Sequence, residues 1–260
     1  MAEGCRQPAR HAGLRGGALI VTWSIIYRER APDGSTARIA IAVATKFFAV
    51  GARVPNIAPQ KGAVCTQALT NPLYGPHGLR LIQEGVGAED VVRILTAADA
   101  GHEHRQLHVL GADGRFAAHT GAECVPWCGH WIGDDFSVAG NMLAGPQVLS
   151  ETVRFFRENE SLPLPRRLIG AMKAGEKVGG DKRGKQSAAL VIYGDQEYSE
   201  LDLRVDDHVE PLLELARLEA VSRERWTHFR AFLPTRQNPA GIFDRAEIAT
   251  GIEKSQAAAP

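Results

Sequence analysis

"TWSIIYRERAPDGSTARIAIAVATK" occupies residues 22–46, and its reading decides the fold. Thr22 to Glu29 is rich in β-branched and aromatic residues, which suit a pleated, half-buried strand. "APDGST" (31–36) carries the Pro-Asp-Gly punctuation of a turn. "ARIAIAVATK" (37–46) is a second apolar run, so the two runs predict a hairpin. Upstream, "MAEGCRQPARHAGLRGGALI" is rich in Arg, Gly and Ala and has no periodicity. It also lacks the apolar stretch of a secretory signal. Residues 1–21 are therefore read as a disordered extension or as a start placed too early, outside the fold.

Downstream, "GAVCTQAL" (62–69) predicts another buried strand. "YGPHGLRLIQEG" (74–85) has Leu79 and Ile82 at helical spacing and a Gly stop. "GAEDVVRILTAAD" (87–99) places acidic residues in its first turn, where the helix dipole favours them. "RQLHVLGADGRFAAHTG" (105–121) is a second hairpin around Asp113-Gly114, and "FSVAGN" (136–141) is a short strand. Two helices are predicted at 146–159 and 165–178, with Pro at each start, where a missing N–H is harmless. Strands at 186–194 and 198–208 precede an amphipathic helix at 209–225. Beyond Trp226 the pattern fades, and 226–260 reads as a loosely packed tail ending in a disordered "SQAAAP".

Hairpins group together and helices come in pairs. That is not the β-α-β alternation of a parallel sheet. The order predicts an α+β fold: two mainly antiparallel sheets face to face with helix layers outside, an αββα sandwich over residues 22–225.

The composition suits this. The chain has 260 residues, 44% hydrophobic and 23% charged, long enough to bury a full core. Thirty basic residues balance thirty acidic ones, which gives no electrostatic case for nucleic acid or membrane partners. No apolar run approaches the ~20 residues of a membrane span. Four cysteines in such a chain fit a reducing cytoplasm. Cys124 and Cys128 are spaced C-x3-C, unusual for a structural zinc site or a redox motif; they read as two free thiols in a loop, with a Cys/His cluster including His130 as the alternative.

The densest chemical motif is "GGDKRGKQSAA" (179–189), between a helix end and a strand. Gly179 and Gly180 suit a helix stop. Asp181, Lys182 and Arg183 follow in a tight loop, then Gly184 and Gln186. The spacing is not that of a phosphate-binding P-loop, because Gln186 follows Gly184-Lys185. A charged surface loop with glycine turns would show the same pattern. His119 ends one strand and His130 follows a cysteine; both types of position commonly hold structural histidines. Asn141 stands between a strand and a helix, as a turn residue or as a polar group aimed at a site. "DLRVDDH" (202–208) reads as a charged strand end, though its carboxylates and His208 could also hold a metal. There is no G-x-S-x-G and no H-E-x-x-H.

Taken in order, "TWSI", "ATKFFAVGARVP", "GAVCTQALTNPLYG", "RQLHV", "AAHTGAECVPWCGH", "GNMLAG", "GGDKRGKQSAAL" and "DLRVDDH" resemble domain of unknown function 1028. That family is assigned to the N-terminal nucleophile (Ntn) hydrolase-like superfamily. The resemblance spans about Thr22 to Leu218 and implies the four-layer αββα fold. The superfamily's chemistry needs a nucleophile that is the first residue of the mature chain, its α-amine serving as base. An α-amine titrates at about 7.7–8.0, so part of it is neutral near pH 7. Members of the family commonly begin Met-Thr-(Phe/Trp)-Ser, and the matching residues here are Val21-Thr22-Trp23-Ser24. A GTG codon at Val21 could serve as the initiator, leaving Thr22 first after trimming; self-cleavage before Thr22 is the alternative.

By analogy with the proteasome β-subunit, the resemblance implies Thr22 as nucleophile with Lys46 and Asp181 tuning charge and orientation. Donors near Gln67 and Asn71 would serve the oxyanion, and Asn141 would stand at the strand-to-helix junction. His119, Arg183 and Gln186 complete the candidate substrate-binding set. Gly184 stands where the proteasome has a serine, so that relay does not carry over. The expected activity is hydrolysis of a small-molecule amide without metal or cofactor, in a chain that could form homo-oligomers. The rivals are a metal-dependent enzyme using His119, His130 and Asp206-Asp207-His208, and a binding protein that keeps only the fold.

Overall fold

The computed structural model describes residues 22–258. β1 (Thr22–Arg30) and β2 (Thr36–Thr45) form the expected hairpin, with Thr22 directly opposite Thr45. β1 also pairs with β8 (Phe136–Asn141), which places Thr22 opposite Asn141. β9 (Ser187–Tyr193) and β10 (Ser199–Val205) extend the sheet beyond β2, and β7 (Gly129–Ile132) extends it beyond β8. The result is a six-stranded antiparallel sheet in the order β10-β9-β2-β1-β8-β7. A second antiparallel sheet runs β3 (Pro55–Ala58), β4 (Gly62–Ala68), β5 (Arg105–Leu110), β6 (Phe116–Thr120).

Side chains alternate across each strand, so every strand feeds two layers. Trp23 and Ile25 of β1 face outward from the large sheet. They meet Leu149 and Phe156 of α3 (Gln147–Glu158) and Leu168 and Met172 of α4 (Leu164–Lys177). Ile26 of β1 and Ile39, Ile41 and Val43 of β2 face the other sheet and meet Ala63, Leu110 and Phe116. On the far side Val64, Leu107 and Val109 pack under α1 (Tyr74–Gln83) and α2 (Ala88–Ala97). Three apolar interfaces therefore separate four layers, helix-sheet-sheet-helix, as the element order predicts. α5 (Pro211–Glu224) adds Leu212 and Leu215 to the first interface.

Three segments depart from the sequence reading. β3 and β7 have four residues each, too short for an alternating pattern to show. The segment after Trp226 is helical, with α6 (Trp226–Phe229) and α7 (Arg245–Ala257). Asp244 caps α7 by accepting from the N–H groups of Ala246 and Glu247. Ile252 is the one buried residue of that helix, so no apolar stripe announces it. The segment is also pinned to the β9–β10 hairpin. Trp226 Nε1 donates to the Glu200 carbonyl at 2.9 Å, Tyr198 Oη donates to the Pro234 carbonyl at 2.6 Å, and Arg230 pairs with Glu200 at 2.7 Å. Residues 1–21 lie outside the described residues. Among those described, no helix is long and apolar enough to cross a membrane.

Candidate active site

Thr22 sits at the end of β1, buried, at the margin of the inter-sheet layer. Its hydroxyl donates to Thr45 Oγ1 at 3.2 Å, across the β1–β2 ladder. Its carbonyl receives two side-chain amides, Asn141 Nδ2 at 3.4 Å from β8 and Gln67 Nε2 at 3.5 Å from β4 in the other sheet. Both amides also donate to Gln106 Oε1, at 3.0 and 2.8 Å. Gln106 in turn donates to the Gly140 and Gly129 carbonyls at 2.9 and 3.1 Å and to Thr120 Oγ1 at 2.9 Å.

The residues following the two amide donors share a backbone feature. Ala68, after Gln67, has φ +67°, and Met142, after Asn141, has φ +49°. A side chain at positive φ costs of order 1–3 kcal/mol, and such strain clusters at functional sites. Two strands thus leave regular geometry at the residue following each group that holds Thr22.

Deeper in the same layer, Ser24 donates to Gln67 Oε1 at 2.8 Å. Its oxygen lies 2.8 Å from His108 Nε2, and Ser137 Oγ lies 2.8 Å from His108 Nδ1. Because the Ser24 proton is committed to Gln67, His108 donates from Nε2 and accepts at Nδ1 from Ser137. Burial pushes the His108 imidazolium down to about 3, with a smaller contribution from His130, so the ring is neutral at ordinary pH. Ser24, Gln106, His108 and Ser137 escape a motif search because they form no local motif. They are the inward-facing polar alternates of three strands, and alternation reads them as a solvent face.

Asp181 is buried, and its carboxylate ties the glycine loop to the end of β2. Oδ2 accepts from the Lys46 N–H at 2.7 Å and Oδ1 from the Arg183 N–H at 2.8 Å. Arg183 Nη2 lies 3.2 Å from Oδ2. Gly180 at φ +48° and Gly184 at φ +109° permit the turn. A cleft of about 100 Å³, lined by Trp23, Thr45, Asp181, Gly184 and Lys185 among others, opens beside this strand end.

The remaining candidates fall elsewhere. The Lys46 ammonium is exposed and donates to the Lys185 carbonyl at 3.0 Å. Thr45, not Lys46, is opposite Thr22, and Lys46 falls just past the strand end. Gln67 reaches the site, but its amide holds the Thr22 main chain and Gln106. Asn71 donates to Asp99 Oδ2 at 3.0 Å and accepts from the Leu73 N–H at 3.0 Å, building the turn into α1. His119 lies on the opposite face of β6 from Thr120 and hydrogen-bonds the His102 carbonyl at 2.9 Å. Gln186 aligns with the site through its backbone, donating to the Thr45 carbonyl at 3.0 Å, while its side chain goes to Asp207 at 3.1 Å. The rival metal set is not assembled. His130 bonds Thr120, Asp206 pairs with Arg204, and among the described residues no group of three or more His, Cys, Asp or Glu is placed to hold a metal. Nor does the Cys124 thiol offer a nucleophile: burial, chiefly, pushes it up to about 12.

Residues 22–215 match the profile of a family of unknown function, DUF1028. The chain belongs to the DUF1028 family. A solved structure of a DUF1028 protein from Silicibacter pomeroyi superposes with a TM-score of 0.76 at 28% identity, covering 86% of this chain and 96% of that one. The Anbu protein (ancestral beta-subunit) from Yersinia bercovieri covers 77% of this chain and 94% of its own at 11% identity. Its TM-score is 0.38, too slight a likeness to bear on function. No curated protein matches the chain. The DUF1028 match begins at Thr22, the residue on which the three strand ends converge.

Proposed function

We propose that this DUF1028 protein is an amide hydrolase that uses Thr22 as an N-terminal nucleophile. The observation that carries this reading is the convergence on Thr22: a hydroxyl partner from β2 and two buried amides from β4 and β8, each followed by a left-handed residue. A threonine that merely ended a strand would not need its carbonyl held by both sheets. With its α-amine free, Thr22 Oγ1 attacks the amide carbonyl while the amine takes the hydroxyl proton. The amine then returns that proton to the leaving nitrogen as the C–N bond breaks. Water hydrolyses the remaining ester and restores the threonine. Asp181 contributes by fixing the end of β2, and with it Thr45, which orients the hydroxyl.

The test is covalent capture. Protein beginning at Thr22 is treated with a β-lactone, and adducts are located by mass spectrometry. One adduct on Thr22 is expected, lost in Thr22→Ala, retained in part in Thr22→Ser and lost when the α-amine is acetylated. Equal labelling of the Ala variant or of the acetylated protein would sink the reading.

A further inference from the structure

A second, separate cleft lies between the edge strand β7 and α3. It has a volume of about 570 Å³ and is walled by Trp127, Trp131, Leu149 and Val153, with His130, Arg154, Arg157 and Glu158 also lining it. That volume falls within the ~300–1,000 Å³ typical of small-molecule sites. Two features show that the cleft is built.

First, each tryptophan is followed two residues later by a glycine, Gly129 and Gly133. A Cβ at either would fall within 2.8 or 2.2 Å of the indole ring. The glycines leave room for both indole rings to approach the following backbone. Second, the cations are not equivalent. Arg154 is neutralised by Glu151 and Glu158. Arg157 has no carboxylate partner among the described residues; its guanidinium stacks on Trp131, 4.7 Å from the ring centroid. A cation–π contact holds the guanidinium against the ring face and consumes none of its N–H donors. An apolar wall beside one pre-oriented, unpaired guanidinium calls for an amphiphilic anion.

We propose that this cleft binds a small organic carboxylate with an apolar body. The body lies against Trp127, Trp131 and Leu149, and the carboxylate pairs with Arg157. The site does not depend on Thr22, so the proposal stands apart from the amide-hydrolase reading.

The experiment is calorimetric titration of the whole chain with 4-phenylbutyrate and with 4-phenylbutan-1-ol, which keeps the body and lacks the charge. One saturable site is expected for the carboxylate, with the alcohol at least tenfold weaker. Arg157→Ala should lose tenfold or more for the carboxylate and leave the alcohol unchanged. Arg157→Lys should restore part of the loss, and Thr22→Ala should bind like the parent. Arg157 is exposed, so its variants are expected to fold, and an unchanged melting temperature would verify this. Trp131→Phe, which keeps a ring, should weaken both ligands together. Absence of saturable binding, equal affinity for acid and alcohol, or an unaffected Arg157→Ala variant would each overturn the proposal.

Discussion

The space between the two sheets has two halves of opposite character. One is filled by Ile26, Ile39, Ile41, Val43, Leu110 and Phe116, and it packs as an ordinary core. The other, under the Thr22 end of β1, is filled by Ser24, Gln67, Gln106, His108, Ser137 and Asn141, all buried. The same strands supply both halves: β1 contributes Ser24 and then Ile26, and β5 contributes His108 and then Leu110. Apolar contacts hold sheets together without regard to angle, whereas hydrogen bonds fix position. The apolar half glues the sandwich. The polar half sets where the ends of β1, β4 and β8 stand relative to one another, and so where Thr22 stands.

The two halves should fail differently. Leu110→Ala in the apolar half should cost about 2–5 kcal/mol, the usual range for a buried Leu truncation. It should leave the reactivity of Thr22 near that of the parent wherever the protein stays folded. Urea unfolding and β-lactone labelling measure the two quantities. Gln106→Leu keeps bulk but withdraws the acceptor shared by Gln67 and Asn141. Its cost should be about 1–3 kcal/mol for each group left buried without a partner. Labelling of Thr22 should fall at least tenfold in the folded variant. If Leu110→Ala and Gln106→Leu lower labelling equally, the division of labour between the halves is wrong.

The third test is pH. His108 is held at about 3 by burial, below its unfolded value near 6.5, so the unfolded chain binds the proton first. The stability it contributes is present above about pH 6.5 and is lost as pH falls toward 3. The slope from this one group is about 1.4 kcal/mol per pH unit. His108→Gln should remove that slope, whatever its absolute stability. Urea midpoints between pH 5 and 6.5, compared between parent and variant, read the difference. Parallel curves would mean that His108 is not neutral and sealed in the fold.

Much of this was legible in the sequence. The 22–46 hairpin, the paired helices and the Asp-Gly turn at 113–114 each carry a local signal, and together they specify the layers. Asp181 was legible as the carboxylate of a glycine-flanked loop, but not as the acceptor for the Lys46 and Arg183 N–H groups. Of the polar half, Gln67 and Asn141 were legible as polar groups beside Thr22, but the network joining them was not. In "RQLHVL", Gln106 and His108 alternate with Leu107 and Val109, which reads as one buried and one wet face. In a four-layer sandwich both faces of that strand are covered, so the polar alternates lie inside. Recognising that Ser24, Gln67, Gln106, His108 and Ser137 all fall on inter-sheet positions required pairing strands far apart in sequence. The Lys46 side chain was not legible for a related reason: its place depends on the β1–β2 register, which sets Thr45 opposite Thr22.

The smallest expected effect separates the hydroxyl from the frame that holds it. Thr45 accepts the Thr22 hydroxyl at 3.2 Å, and Thr45→Val keeps its shape while removing that acceptor. Loss of the hydrogen bond to Thr22 should itself change stability by about 0.5–1.5 kcal/mol. The polar half should otherwise remain intact, since the Thr22 carbonyl keeps Gln67 and Asn141. Labelling of Thr22 should nevertheless drop several-fold, because a hydroxyl without its partner samples rotamers that point away from the α-amine. Thr45→Ser, which restores an acceptor, should recover most of the rate. Full labelling in the Val variant would show that the carbonyl contacts alone position the nucleophile, and the orienting role would pass entirely to the inter-sheet amides.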